Sequence, residues 1–114
     1  MSDAPRHVAV VGAGALGGWT ALHLARRGCR VTLVDAWGPG HARASSGGET
    51  RVIRRGYGPR AHYVPLVTRA LELWRGMEAE SGAQLLDARG VLWLVSDDGS
   101  FEKESLTAIT AEGA

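Results

Sequence analysis

Cysteine is nearly absent. Cys29 stands alone among 114 residues, so no intramolecular disulfide can staple the chain, and such usage suits a reducing compartment such as the cytoplasm. Lysine is equally scarce: Lys103 is the single example, which leaves the basic set almost wholly arginine. No run of about 18 apolar residues occurs, so no membrane-spanning helix is expected. Net charge is missing too, with 13 basic residues against 12 acidic ones. That balance argues against a nucleic-acid or membrane binder held by bulk electrostatics. His7, His23, His41 and His62 show no metal-ligand spacing with Cys29 or one another, and no metal is expected. Internal repeats are absent.

What remains is an ordinary globular composition, 45% hydrophobic and 22% charged, in one domain's length of chain. Residues 7–12, HVAVVG, form a β-branched run ending in glycine, which predicts a buried strand. In 15–27, ALGGWTALHLARR, the helical spacing of Leu16, Trp19 or Thr20, and Leu24 predicts a helix, with Arg26 and Arg27 at its negative end and Gly28 beyond. Residues 30–35, RVTLVD, read as a second strand. A β-α-β unit over 7–35 implies an α/β fold with a parallel sheet. The opening MSDAPRH and VAVVGAGALGG have the outline of an export signal, but the glycine spacing and the following His23, Arg26 and Arg27 argue against one.

Residues 36–61 are loop-like and rich in glycine, longer than a compact domain uses without a purpose. Residues 63–81 predict a helix with Val67, Ala70, Leu71, Trp74 and Met77 on one face, Pro65 in the first turn and Gly82 at the end. Two apolar runs around Asp87-Ala-Arg-Gly90 suggest a hairpin over 84–95. Asp97-Asp98-Gly99 reads as a turn, and Ser100 as the cap of a further helix over 100–114 containing Phe101, Leu106 and Ile109. Two parallel strands and a hairpin leave apolar faces uncovered, so the chain is expected to be the N-terminal piece of a longer protein.

Gly12-Ala13-Gly14-Ala15-Leu16-Gly17 is a G-x-G-x-x-G segment. The pattern is common, but here it follows a predicted strand, opens a predicted helix and precedes Asp35 at the expected interval. Gly12 permits the tight turn, Gly14 lets a pyrophosphate approach the backbone amides, and Gly17 lets the helix pack close to the sheet. The helix start, with Ala13, Ala15 and Leu16 around it, offers free N–H groups to that pyrophosphate. Asp35, followed by Ala36, ends the second strand where a carboxylate can accept ribose hydroxyls and repel a 2′-phosphate. An ADP-containing dinucleotide is the implied ligand. Spacing does not choose between FAD and NAD.

The segment GETRVIRRGYG, 48–58, sets Arg51, Arg54 and Arg55 among apolar residues. Together with VDAWGPGHARASSGGETRVIRRGYG, YVPLVTRALELWRGMEAESG and GVLWLV, it resembles the FAD-dependent amine oxidases of the D-amino-acid-oxidase superfamily. The branch it resembles most contains monomeric sarcosine oxidase and N-methyl-amino-acid oxidases. The Ser-x-x-Gly-x-Thr-Arg-x-x-Arg pattern from Ser45 to Arg54 carries the resemblance most specifically.

The resemblance implies a Rossmann-like FAD-binding fragment of a two-domain flavoprotein, its substrate domain absent from these residues. It implies hydride transfer from the carbon beside an amine to flavin N5, with hydrolysis of the imine and reoxidation by oxygen or another acceptor. Ser45, Ser46 and Gly47 are implied near the phosphates or the flavin edge, Thr50 and Arg51 against the flavin, and Arg54 at the carboxylate of an amine or amino-acid substrate. Ser46 and Gly47 depart from that branch, where histidines are usual.

Arg51 and Arg54 are three apart and would share a face on a helical turn, with Val52 and Ile53 packed inward and Arg55 turned elsewhere. A guanidinium beside the flavin would stabilise its reduced form, and a second would hold a carboxylate bidentately. An ion-pair network of these arginines with Glu49 and Asp35 is the structural alternative. Tyr57 alone gives too little aromatic interleaving for a nucleic-acid patch. By itself such a chain is expected to show no turnover and weak nucleotide binding. The rival readings are the nucleotide-binding domain of an NAD-dependent dehydrogenase and a non-catalytic dinucleotide-binding or interaction module. The missing remainder of the enzyme is the expected partner.

Overall fold

The computed structural model describes residues 6–95 and 99–113. It divides into two units, 1–51 and 52–114. The first contains β1 (His7–Val11), α1 (Ala15–Arg26) and β2 (Arg30–Val34). The two strands pair in parallel, His7 opposite Arg30 through Val11 opposite Val34, as the β-α-β spacing predicts. Alternation along the strands puts Val8, Val10 and Val31 on one face, and these are half-buried. Helix α1 packs on both strands. Ala9, Val11, Thr32 and Val34 point to the other face and are exposed. Parallel strands are ordinarily covered on both faces, and within this unit one face lies open.

Helix α1 ends as its sequence requires. The N–H of Gly28 donates to the carbonyl of Ala25 at 2.9 Å, and that of Cys29 to Leu24 at 3.1 Å. This nested pair satisfies the last carbonyls when the next residue is left-handed, and Gly28 has φ +79°. His23 is half-buried and stacks on Trp19 at 5.7 Å. Leu16 departs from the expected apolar face: it is 88% exposed and lines the open groove at the start of the helix.

The second unit contains α2 (Tyr63–Ser81) and α3 (Ser100–Ala111). Val67, Ala70, Leu71, Trp74 and Met77 are all half-buried, as their spacing predicts, and Val64 one turn earlier is buried. Pro65 lies in the first turn, and Gly82 closes α2 in the left-handed conformation at φ +68°.

No hairpin forms over 84–95; that segment contains no strand. Its first amides are taken by a helix side chain instead. Glu78 Oε1 accepts from the N–H of Leu85 at 2.7 Å and of Leu86 at 2.8 Å. These bonds, Leu86's foremost, hold the Glu78 carboxyl below its ordinary pKa. A lone two-stranded ribbon is marginal in water. Here Val91, Leu92 and Leu94 remain exposed.

Gly99, not Ser100, is the N-cap of α3, and it supplies no side-chain cap. Asp97 and Asp98 of the expected turn, and Ala114, lie outside the described residues. Two glycines of this unit lie close against aromatic rings. A Cβ on Gly56 would collide with the Trp93 ring and one on Gly58 with the Phe101 ring. The two rings meet at 5.5 Å. The Gly58 N–H donates to the buried Ser105 hydroxyl at 2.7 Å.

Candidate functional site

The site of the first unit forms where β1 runs into α1. Gly12 continues the ladder, donating to the carbonyl of Val34 at 2.7 Å, and takes φ +99°, open only to glycine without strain. Gly17 then comes so close to the turn that an added Cβ would collide with the Gly12 carbonyl. Two glycines of the fingerprint thus have the geometric reasons their spacing predicts.

Helix α1 starts at Ala15 with no side-chain cap and no acidic residue in its first turn. The amides of Leu16 and Gly17 have no intrahelical acceptor at this position. Among the described residues the Ala15 N–H meets only the Ser46 hydroxyl, at 3.4 Å. An open groove of about 360 Å³ lies here, lined by Val11, Gly12, Gly14, Ala15, Leu16, Gly17, Ser45 and Ser46. The loop therefore brings Ser45 and Ser46 to the fingerprint. Ala44 Cβ is the nearest atom to a Cβ built on Gly14, at 3.9 Å, so the backbone there stays accessible. Uncapped amides at the positive helix end, walled by two hydroxyls, fit the pyrophosphate of a dinucleotide.

Arg51 is tied to this groove. Its Nε donates to the Ser46 carbonyl at 2.7 Å. Its guanidinium lies over Gly48, where a Cβ would stand 3.2 Å from Nη2. The carbonyl of Ser46, not Glu49 or Asp35, is the partner of Arg51 among the described residues, so the ion-pair alternative is not what holds this arginine. Gly47 also has a local reason, since a Cβ would come within 3.0 Å of the Ala44 carbonyl and 3.1 Å of that of Ala42. Thr50 and Ala36 are exposed and outside the groove lining.

Asp35 is the most heavily engaged side chain of the unit. Its Oδ2 accepts from the Ala13 N–H at 2.7 Å, and its Oδ1 from those of Trp37 at 2.8 Å and Gly38 at 3.0 Å. His41 Nε2 lies 3.4 Å from Oδ1. The Ala13 bond foremost, with Trp37, His41 and Gly38 adding, holds the Asp35 carboxyl below its ordinary pKa of 3.8. Asp35 thus fastens the fingerprint turn to the end of β2, a role that spacing alone does not reveal.

A depressed pKa stabilises the folded unit above the unfolded-state value, and that contribution is lost as pH falls through the lower folded value. Asp35→Asn should therefore lower the melting temperature near neutral pH, with the gap to wild type closing as the solution is acidified below about pH 4. Thermal melts across that range check it. A constant gap would remove the carboxylate's charge from the account.

The expected helical turn across Arg51 and Arg54 does not form; residues 48–57 contain no helix. Glycines at 48, 56 and 58 and the β-branched Val52 and Ile53 favour extended backbone. Val52 is 78% exposed and Ile53 is also exposed, so neither packs inward as expected. Arg54 belongs to the second unit, where it is exposed and stacks on Tyr57 at 5.2 Å. Tyr57 in turn meets Tyr63 at 5.0 Å. Arg55 is structural: Nη2 donates to the Thr68 hydroxyl at 3.1 Å, and its Nε is buried.

Among the described residues no helix is long and apolar enough to cross a membrane, and no group of three or more potential ligands could hold a metal ion.

Comparison with known proteins agrees with this geometry. Over 102 residues the chain is 40% identical to monomeric sarcosine oxidase of Bacillus sp. (strain NS-129), covering 89% of this chain and 26% of that protein. It is 44% identical over 85 residues to monomeric sarcosine oxidase of Bacillus sp. (strain B-0618), covering 75% of this chain and 22% of that one. It is 38% identical over 92 residues to N-methyl-L-tryptophan oxidase of Yersinia pestis (strain Pestoides F), covering 81% and 25%. The chain thus spans about a quarter of the length of these relatives. The model of the DAO family, FAD dependent oxidoreductase, matches residues 7–113. With the phosphate-ready turn, the parallel β-α-β unit and a match running nearly end to end, this chain belongs to the DAO family of FAD-dependent oxidoreductases.

Proposed function

We propose that this chain is the FAD-holding portion of an oxidase that acts on the C–N bond of a secondary amine or amino acid. The observation that carries the proposal is the groove at the uncapped start of α1, with Ser45 and Ser46 on its wall and Arg51 bonded to the Ser46 carbonyl. The names of the sarcosine and N-methyl-L-tryptophan oxidases support the substrate class.

FAD, when bound, supplies the hydride acceptor at flavin N5. The chain's own residues bind and orient. The Leu16 and Gly17 amides hold the pyrophosphate, with Ala15 and the Ser45 and Ser46 hydroxyls beside it. Gly14 leaves room for its approach, and Gly47 and Thr50 continue the loop toward the ring. Asp35 retains acceptor capacity on Oδ2 for a ribose hydroxyl, since that oxygen takes one protein donor. Ala36 follows at the same strand end.

Arg51 places a fixed positive charge at the groove, where it favours an electron-rich flavin edge. Arg54 presents an exposed guanidinium suited to a substrate carboxylate. Turnover needs a substrate-covering domain and an acceptor such as oxygen, and residues 1–114 alone are inactive, with weak FAD affinity. A free, half-buried Cys29 suits work in the cytoplasm. Sarcosine itself is not assigned as substrate, because Ser46 and Gly47 stand where that branch has histidines.

Visible absorbance tests the proposal. Titration of the protein into FAD should perturb the near-ultraviolet and blue flavin bands and reach saturation. Saturable binding of NAD with none of FAD would transfer the groove to a nicotinamide dehydrogenase.

A further inference from the structure

We propose that Trp37, steadied by His41 and Arg43, is the stacking platform for the purine of the bound dinucleotide. The inference rests on the dinucleotide reading above and names residues beyond the glycine turn and Asp35. Trp37 is 60% exposed. It is nonetheless held firmly. Its N–H donates to Asp35 Oδ1 at 2.8 Å, which fixes its backbone to the carboxylate that faces the ribose.

The side chains around it form a brace. The Arg43 guanidinium lies over the indole at 4.9 Å, and the His41 ring meets it at 5.3 Å and 57°. His41 Nδ1 accepts from the Arg43 backbone N–H at 3.1 Å. Its proton-bearing Nε2 therefore points toward Asp35 Oδ1, at 3.4 Å. Three residues of one loop thus fix both the carboxylate and the ring.

The order of groups on an adenosine matches this arrangement. The base leaves the sugar from the carbon next to the one that carries the 2′-hydroxyl. A ribose hydroxyl on the less crowded Oδ2 of Asp35 sets the base near the residues immediately after Asp35. A flat, exposed aromatic two positions on, with a cation over the ring and more than half of its surface accessible, suits a purine.

The test uses the flavin-free protein and calorimetric titration with FAD, ADP and inorganic pyrophosphate. Trp37→Ala should weaken FAD and ADP binding about tenfold and leave pyrophosphate within about twofold, since one base–aromatic stack is lost. Trp37→Phe keeps a ring and should stay within about threefold of wild type, while Arg43→Ala should cost about two- to fivefold. Unchanged ADP affinity in Trp37→Ala, or an equal loss for pyrophosphate, overturns the platform and leaves the dinucleotide site standing. Failure of the wild type to bind FAD or ADP overturns both.

Discussion

Replacing Gly17 with alanine should abolish FAD binding and destabilise the first unit by about 3 kcal/mol or more, the upper range for forcing an extra methyl into a packed contact. The expected size follows from what the methyl meets. It would collide with the Gly12 carbonyl oxygen and stand 2.9 Å from its carbon, with Val10 Cγ1 at 3.6 Å behind. These are backbone atoms of the turn itself, so no side-chain rotation relieves the contact. Helix α1 would have to retreat from β1, moving the Leu16 and Gly17 amides away from the groove. Gly18 is the internal control: a Cβ there meets nothing within 4 Å, and alanine has the better helix propensity. Gly18→Ala should be neutral or mildly stabilising. Thermal melting and flavin binding of the two variants check the contrast, and similar behaviour of both would deny that the close helix–strand approach matters.

Arg54→Ala, in the whole enzyme, should raise KM for a carboxylate-bearing substrate roughly 100-fold, the loss expected when a charge-assisted pair of hydrogen bonds disappears. The same substitution should change KM for the decarboxylated amine by less than about threefold, because that substrate offers the guanidinium no anion. Arg54→Lys keeps the charge and loses the fork, so it should fall between. Steady-state kinetics on the matched pair of substrates decides. Equal effects on both would remove Arg54 from the carboxylate.

The two strands and α1 were legible because short-range rules govern them. A β-branched run, a helical period and three glycines at fixed offsets give β1, α1 and β2 to within a residue or two. Helix α2 was legible for the same reason, even to its glycine stop. The interval 84–95 was not. Its two apolar runs around Asp87-Ala-Arg-Gly90 suggest a hairpin, yet the Leu85 and Leu86 amides go to Glu78, a side-chain acceptor on the preceding helix that no local pattern announces.

The candidate site divides in the same way. The groove lining at the fingerprint follows from glycine geometry. The loop contacts do not, because they depend on how a long irregular segment closes on itself. Asp35 was read as a ribose acceptor, but its first service is to bind the amides of Ala13, Trp37 and Gly38. Arg51 and Arg54 were set on a common helical face that the backbone does not form. The Asp-x-Trp-Gly run after β2 carried a signal for the turn around the carboxylate, since a short acid readily bonds amides two and three positions on.

Backbone amide NMR during titration tests the central claim most directly. FAD should shift the Leu16 and Gly17 amide resonances strongly, inorganic pyrophosphate should shift the same two, and riboflavin, which lacks phosphate, should leave them in place. Shifts caused by FAD that spare the first turn of α1 would contradict the account.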